Sequence, residues 1–150
     1  GGGMQFSLSP PAVIFTNLPK GATGQTRAFV VSVPQDFPPK MLVHELHHVR
    51  QWGMVTLAAA VLLFTLAAVV TPISYSATFL SIGVHGFLYR FSAEYRFRTE
   101  AAAYAASYTG EPTELTDYAA ALGSSLYSTG RTATECRGAI SARIDTGRLF

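Results

Sequence analysis

From Gln51 to Tyr89 the chain carries no Asp, Glu, Lys or Arg, and every charged residue lies outside that stretch. A helix bordering water normally keeps a charged face. A stretch without one is composed for a lipid bilayer or for burial against a partner. It divides at Thr71-Pro72, a turn signal. The first half, Trp52 to Val70, would rise about 28 Å as a helix, close to the ~30 Å of a hydrocarbon core. The second half, Ile73 to Tyr89, is shorter and carries Ser74, Ser76, Thr78, Ser81 and His85. The pattern predicts two antiparallel helices, about 41–70 and 74–108, apolar at the closed end and polar at the open end. The second is expected to stop at Gly110.

Upstream, AVIFT (12–16) and RAFVVSV (27–33) are short, β-branched and aromatic, and read as strands. The intervening NLPKGATGQT has the Pro and Gly content of a hairpin loop. VPQDFPPK then interrupts regular structure, and a helix is expected to begin near Lys40 or Met41, after Pro38-Pro39. Downstream, Thr113 to Ser125 carries an Ala/Leu/Tyr stripe. Thr132-x-x-Glu135 fits a capping box opening a last helix that runs to about Asp145. The expected fold is therefore α+β, mainly α. It has a short N-terminal β-hairpin with an edge strand, a long apolar helical hairpin (51–89 at its centre) and two small C-terminal helices. Residues 4–150 read as one domain, and Gly1 to Gly3 before Met4 as an expression scar. The first apolar stretch, Ala12 to Phe15, is too short for a signal-peptide core.

Composition narrows the function classes. A net charge of +2 is too small to argue for nucleic acid. Cys136 is the sole cysteine, so no internal disulfide and no cysteine-based metal knuckle can form. It is expected to be a packed small hydrophobe.

The candidate chemistry sits just before the uncharged stretch, in VHELHHVRQW (43–52). Residues four apart on a helix stand one above the other, so His44 and His48 can aim two imidazoles at one cation. Glu45 lies at the rim of that face, where a carboxylate can take a proton from an attacking water. The alternative is a surface helix that happens to be rich in His and Glu. The motif opens a strong helix between Leu42, Val43, Leu46 and Val49, which favours the zinc reading. His47 points about 100° away from His48 and is expected in an outer or solvent role.

Zinc needs a third protein ligand. If the chain reverses near Thr71-Pro72, the register brings the neighbourhood of residue 98 opposite His44 and His48, which favours Glu100. Glu94 is the nearest rival. His85 would face residue 60, about 20 Å away along the axis. Either carboxylate has a plainer reading as an ion pair with Arg96 or Arg98.

HELHHVRQW, an apolar hairpin and then RTEAAAYAA (98–106) resemble gluzincin-type zinc metallopeptidases. The chain is similar in size to the minigluzincins. It is similar to the membrane-embedded gluzincins of the prenyl-protease and heat-shock type in placing apolar helices between the two halves of the site. The resemblance covers roughly 27–108 and is specific at 43–52. It implies peptide-bond hydrolysis, of endopeptidase type, with His44, His48 and Glu100 on Zn²⁺ and Glu45 as general base. It also implies a peptide or protein substrate that adds antiparallel to an edge strand, here 27–33. Tyr104, one turn beyond Glu100, is a candidate oxyanion donor, with Tyr108 and His47 behind it; each has a plainer role in packing. Many such enzymes place an Asp four residues after the ligand Glu. Here Tyr104 stands there, and Arg98 stands four after Glu94, so the residue orienting the ligand histidines is unassigned.

The apolar hairpin has two readings. It crosses a membrane twice, with the site on the cytoplasmic side set by Lys40, Arg50, Arg90, Arg96 and Arg98 and with Trp52 and Tyr89 at the interface. Or it is soluble and covered by the C-terminal helices or another apolar protein surface. A membrane hairpin scaffold with a metal-binding or vestigial HELHH, and a soluble zinc hydrolase of a non-peptide amide, are the competing functions.

Overall fold

The computed structural model describes residues 12–15, 25–27, 30–34, 36–70 and 74–150. It is mainly helical, with three short strands before the helices. Strands β1 (Ala12–Phe15), β2 (Gln25–Arg27) and β3 (Val30–Val33) form one sheet in the order β1-β3-β2. β1 runs parallel to β3, with Ala12 opposite Val30, while β2 runs antiparallel, with Thr26 opposite Val31. This corrects the expected pairing. The first and last strands are neighbours but run the same way, and the hairpin partner of β3 is β2. The sequence hid β2 because Gln-Thr-Arg has no apolar alternation: Gln25 and Thr26 read as loop, and Arg27 as the start of the strand over 27–33. Most of that expected loop, residues 17–24, lies outside the described residues. A second correction follows: β3 is paired on both sides, so the edge expected within 27–33 is taken along Val30–Val33. Val31 and Val33 are buried on one face, the period-two pattern of a strand.

Helix α1 spans Pro39–Val69. Pro39 opens it, where a missing N–H costs nothing and the fixed φ suits a first turn. Gly53 leaves it unbroken. The expected turn at Thr71-Pro72 lies outside the described residues. The helix expected over 74–108 is in three pieces: a 3-10 segment (Tyr75–Leu80), α2 (Ser81–Phe91) and α3 (Ala93–Ser107). The break falls at Ser92, which is extended (φ −114°, ψ 109°) and whose Oγ accepts the Tyr95 N–H at 3.1 Å. Serine competes with helix continuation through such a cap.

These breaks reset the register. The Phe64 ring lies 5.1 Å from that of Tyr75, and Trp52 Nε1–H donates to the Ile82 carbonyl at 3.1 Å. A 3-10 segment rises about 2.0 Å per residue against 1.5 Å for an α-helix. The returning chain therefore reaches the open end sooner than a continuous α-helix would.

Helices α4 (Pro112–Leu122) and α5 (Ala133–Ser141) complete the chain. Both limbs of the Thr132/Glu135 capping box form, at 3.2 Å (Glu135 N–H to Thr132 Oγ1) and 2.8 Å (Thr132 N–H to Glu135 Oε2). The core lies among α3, α4 and α5: Phe97, Ala101, Tyr104, Tyr118, Ala119, Leu122, Cys136 and Ile140. Cys136 is a buried free thiol in that core. The apolar length of α1 is outside it. Among the described residues of α1 beyond Gln51, Ala67 alone is buried, while Met54, Leu57, Val61, Leu62, Phe64 and Val69 are exposed. Phe79, Leu80, Ile82, Phe87 and Phe91 are exposed on the returning chain. By length and composition α1 can cross a membrane; among the described residues it is the one helix that can.

Candidate metal centre

The site forms where the polar end of α1 meets α3. His44 and His48 share one face of α1, with Nε2 atoms 3.2 Å apart and rings edge-on. α3 brings Glu100 to both: Oε2 is 3.1 Å from His44 Nε2, and Oε1 is 3.3 Å from His48 Nε2. All three side chains are buried. Around a cation with bonds of about 2.0–2.1 Å, tetrahedral ligand atoms stand about 3.3 Å apart. The two imidazoles and one carboxylate thus have the spacing and donor types of a three-ligand zinc site. Together they form a group able to hold a metal ion.

The electrostatics agree. Burial pushes Glu100 toward protonation, but His48 and His44 outweigh it and hold the carboxyl well below its ordinary range. Burial likewise pushes His48 toward neutrality; the Glu100 carboxylate prevails and raises it to about 9.

Glu45 is buried beside the two histidines. Thr26 Oγ1 of β2 donates to its carboxylate and lies 3.2 Å from its main-chain carbonyl. Tyr89 of α2 donates its hydroxyl to Glu100 Oε1. Gln51 accepts the His48 Nδ1 proton at 2.9 Å. His47, expected in an outer or solvent role, is buried and donates from Nε2 to the Leu149 carbonyl at 3.1 Å. Burial lowers its pKa, against the opposing pull of that carbonyl.

Other expected residues fall differently. Tyr104 packs its ring 4.4 Å from that of His44, but its hydroxyl bonds Tyr127 Oη at 2.8 Å, so that hydroxyl is committed to the core. Its pKa is raised to about 12 by burial. Tyr108 packs against the helical core. Glu94 is 47 % exposed and pairs with Arg98 at 2.7 Å and Arg131 at 2.8 Å, the plain ion-pair reading. His85 is not remote, as the ideal register implied. Its Nδ1 is 2.6 Å from Tyr95 Oη and its ring 6.3 Å from that of Tyr89, which touches Glu100.

Three residues at the site escaped the sequence reading: Thr26, Gln51 and Tyr89. Gln51 had a usable signal, being an amide one turn after His48 at the start of the uncharged stretch. Thr26 and Tyr89 depended on strand pairing and on the helix break. Of the two histidines whose orienting residue was unassigned, His48 pairs with Gln51. For His44, Nδ1 is buried and has no hydrogen-bond partner among the described residues. Comparison of the chain with family models, with curated proteins and with solved structures finds no match.

Proposed function

We propose that the chain is a zinc-dependent peptidase, with His44, His48 and Glu100 as metal ligands and Glu45 as general base. The observation that carries this reading is the approach of the buried His44 and His48 Nε2 atoms to each other (3.2 Å) and to the two Glu100 carboxylate oxygens (3.1 and 3.3 Å), with Glu45 one residue from His44. Zinc bound there supplies a Lewis acid that polarises a carbonyl and acidifies water. Glu45 takes the proton of the attacking water and delivers it to the leaving amine nitrogen, so water adds across the C–N bond. Thr26 holds the Glu45 carboxylate in place for that transfer. The resemblance of HELHHVRQW and RTEAAAYAA to gluzincins supports a peptide substrate. With β3 paired on both sides, the sheet edge that supports strand addition near Glu45 is β2.

The exposed apolar length of α1 supports placing the protein in a membrane. A core helix of a soluble protein would bury that surface. The 3-10 segment and α2 together rise about 28 Å, and both keep their backbone hydrogen bonds, as a bilayer demands. Arg50 and Arg90 flank the uncharged stretch and support a cytoplasmic site. Elemental analysis and peptide cleavage of the wild type beside Glu45→Gln test the chemistry. The variant is expected to keep zinc and lose turnover. Full turnover in Glu45→Gln overturns the assignment of the base, and a wild type without bound metal overturns the zinc reading.

A further inference from the structure

We propose that Gln51 is the positioning residue of the metal centre. It sets the tautomer and ring orientation of His48 and ties both to α3 and to the C-terminal segment. This rests on the zinc reading above and adds to it a residue outside the five letters of the HExxH motif.

Three polar atoms surround the Gln51 amide. Gln51 Nε2 lies 3.0 Å from the Thr99 carbonyl and 2.6 Å from the Leu149 carbonyl. Carbonyls only accept, so the two N–H bonds of the amide must face them. That leaves Oε1, also a pure acceptor, toward His48 Nδ1 at 2.9 Å. Nδ1 therefore carries the proton. A neutral His48 then has its lone pair on Nε2, the atom that faces His44 and Glu100. Metal-ligating histidines depend on such a partner for orientation and basicity.

Gln51 is 0 % exposed. A buried amide is costly unless every polar atom is matched, and here all are. Each bond also does something different. Thr99 immediately precedes Glu100, so the bond to its carbonyl sets where α3 lies against α1 at the third ligand. Leu149 accepts from both Gln51 and His47, and the Phe150 ring lies 5.7 Å from that of Tyr95. The C-terminal segment is thereby fastened to the helix that carries the metal ligands.

The test uses the full chain, with zinc affinity read by chelator competition and the His48 ring read by nitrogen-15 NMR of the zinc-loaded protein. Gln51→Leu keeps the bulk and removes every hydrogen bond. It is expected to weaken zinc by roughly 10–100-fold and to lose the slowly exchanging Nδ1 proton of His48. Gln51→Glu keeps an acceptor for that proton but cannot donate to the two carbonyls. It is expected to retain the Nδ1 proton and most of the affinity, while residues 147–150 become open to proteolysis. Wild-type affinity in a folded Gln51→Leu overturns the inference. If that variant does not fold, Gln51→Glu decides: loss of the Nδ1 proton there overturns it. A wild type that takes up no zinc overturns the metal reading, and this inference with it, which separates the two failures.

Discussion

Along α1, residues 44–51 and residues 54–69 belong to one unbroken helix but differ in their surroundings. In the first stretch His44, Glu45, His47, His48 and Gln51 are buried, and each has a hydrogen-bond partner from another element or from its own turn. In the second, Leu57, Val61, Leu62, Phe64 and Val69 are exposed. A soluble protein has the opposite arrangement, with leucine inside and charge outside. Helix propensity does not distinguish the stretches. What distinguishes them is the packing: the sheet, α3 and the C-terminal segment close around the polar end, while the apolar end meets the 3-10 segment and α2 and leaves the rest of its surface uncovered. The proposed bilayer removes the inversion, since lipid tails would cover what the protein does not.

The sharpest expected contrast is in the proposed metal binding. His48→Ala and Glu100→Ala are each expected to abolish stoichiometric zinc, whereas Leu62→Ala, on the same helix as His48, leaves it intact. Elemental analysis of the three purified variants checks this. Zinc retained in both ligand variants would remove the functional difference between the two ends.

Stability should divide along the same line. Leu122 is fully buried among the C-terminal helices, so Leu122→Ala is expected to cost about 2–5 kcal/mol. The exposed Leu62→Ala should stay within about 0.5 kcal/mol. Denaturant titration in detergent measures both, and equal losses would mean that the apolar length is packed after all.

A charge probes the medium directly. Leu62→Arg is expected to disfavour insertion by about 2.5–3.5 kcal/mol if that position sits mid-bilayer. An arginine at exposed Ala120 should not. Partition of each variant into liposomes reads the difference, and a detergent-free, monodisperse wild type that ignores liposomes would overturn the membrane placement.

The smallest effect concerns a polar tie near the start of α1. Lys40 Nζ donates to Glu114 Oε1 at 2.8 Å, and Thr109 N–H donates to Oε2 at 2.9 Å. The Lys40 contact, then the Thr109 backbone bond, lower the Glu114 pKa to about 2. A carboxyl lowered in the folded state contributes stability that is full above its ordinary value and fades as pH falls. The wild type should therefore lose thermal stability between about pH 4.5 and 2, and Glu114→Gln should show a flatter profile over that window. Parallel profiles would show that the tie contributes nothing measurable.

The sequence by itself determined the features that depend on near neighbours. Helical periodicity puts His44 and His48 on one face whatever else the chain does. Pro38-Pro39 starts α1, Thr132 and Glu135 cap α5 together, and the missing charges mark a surface unsuited to water. Glu100 was legible too, because an antiparallel return allows few partners opposite residues 44–48. Only the tertiary structure decided what depends on distant segments. β1 runs parallel to β3, and a polar tripeptide, Gln25–Arg27, becomes the strand that reaches Glu45. A serine cap at Ser92 splits the returning helix and lets Tyr89 and Glu100 meet. Gln51 acquires its role from carbonyls 48 and 98 residues further along the chain. Local spacing fixes the direction in which a side chain leaves its helix; what it meets there is set by loop paths and helix breaks, whose energies differ by little and leave no periodic trace.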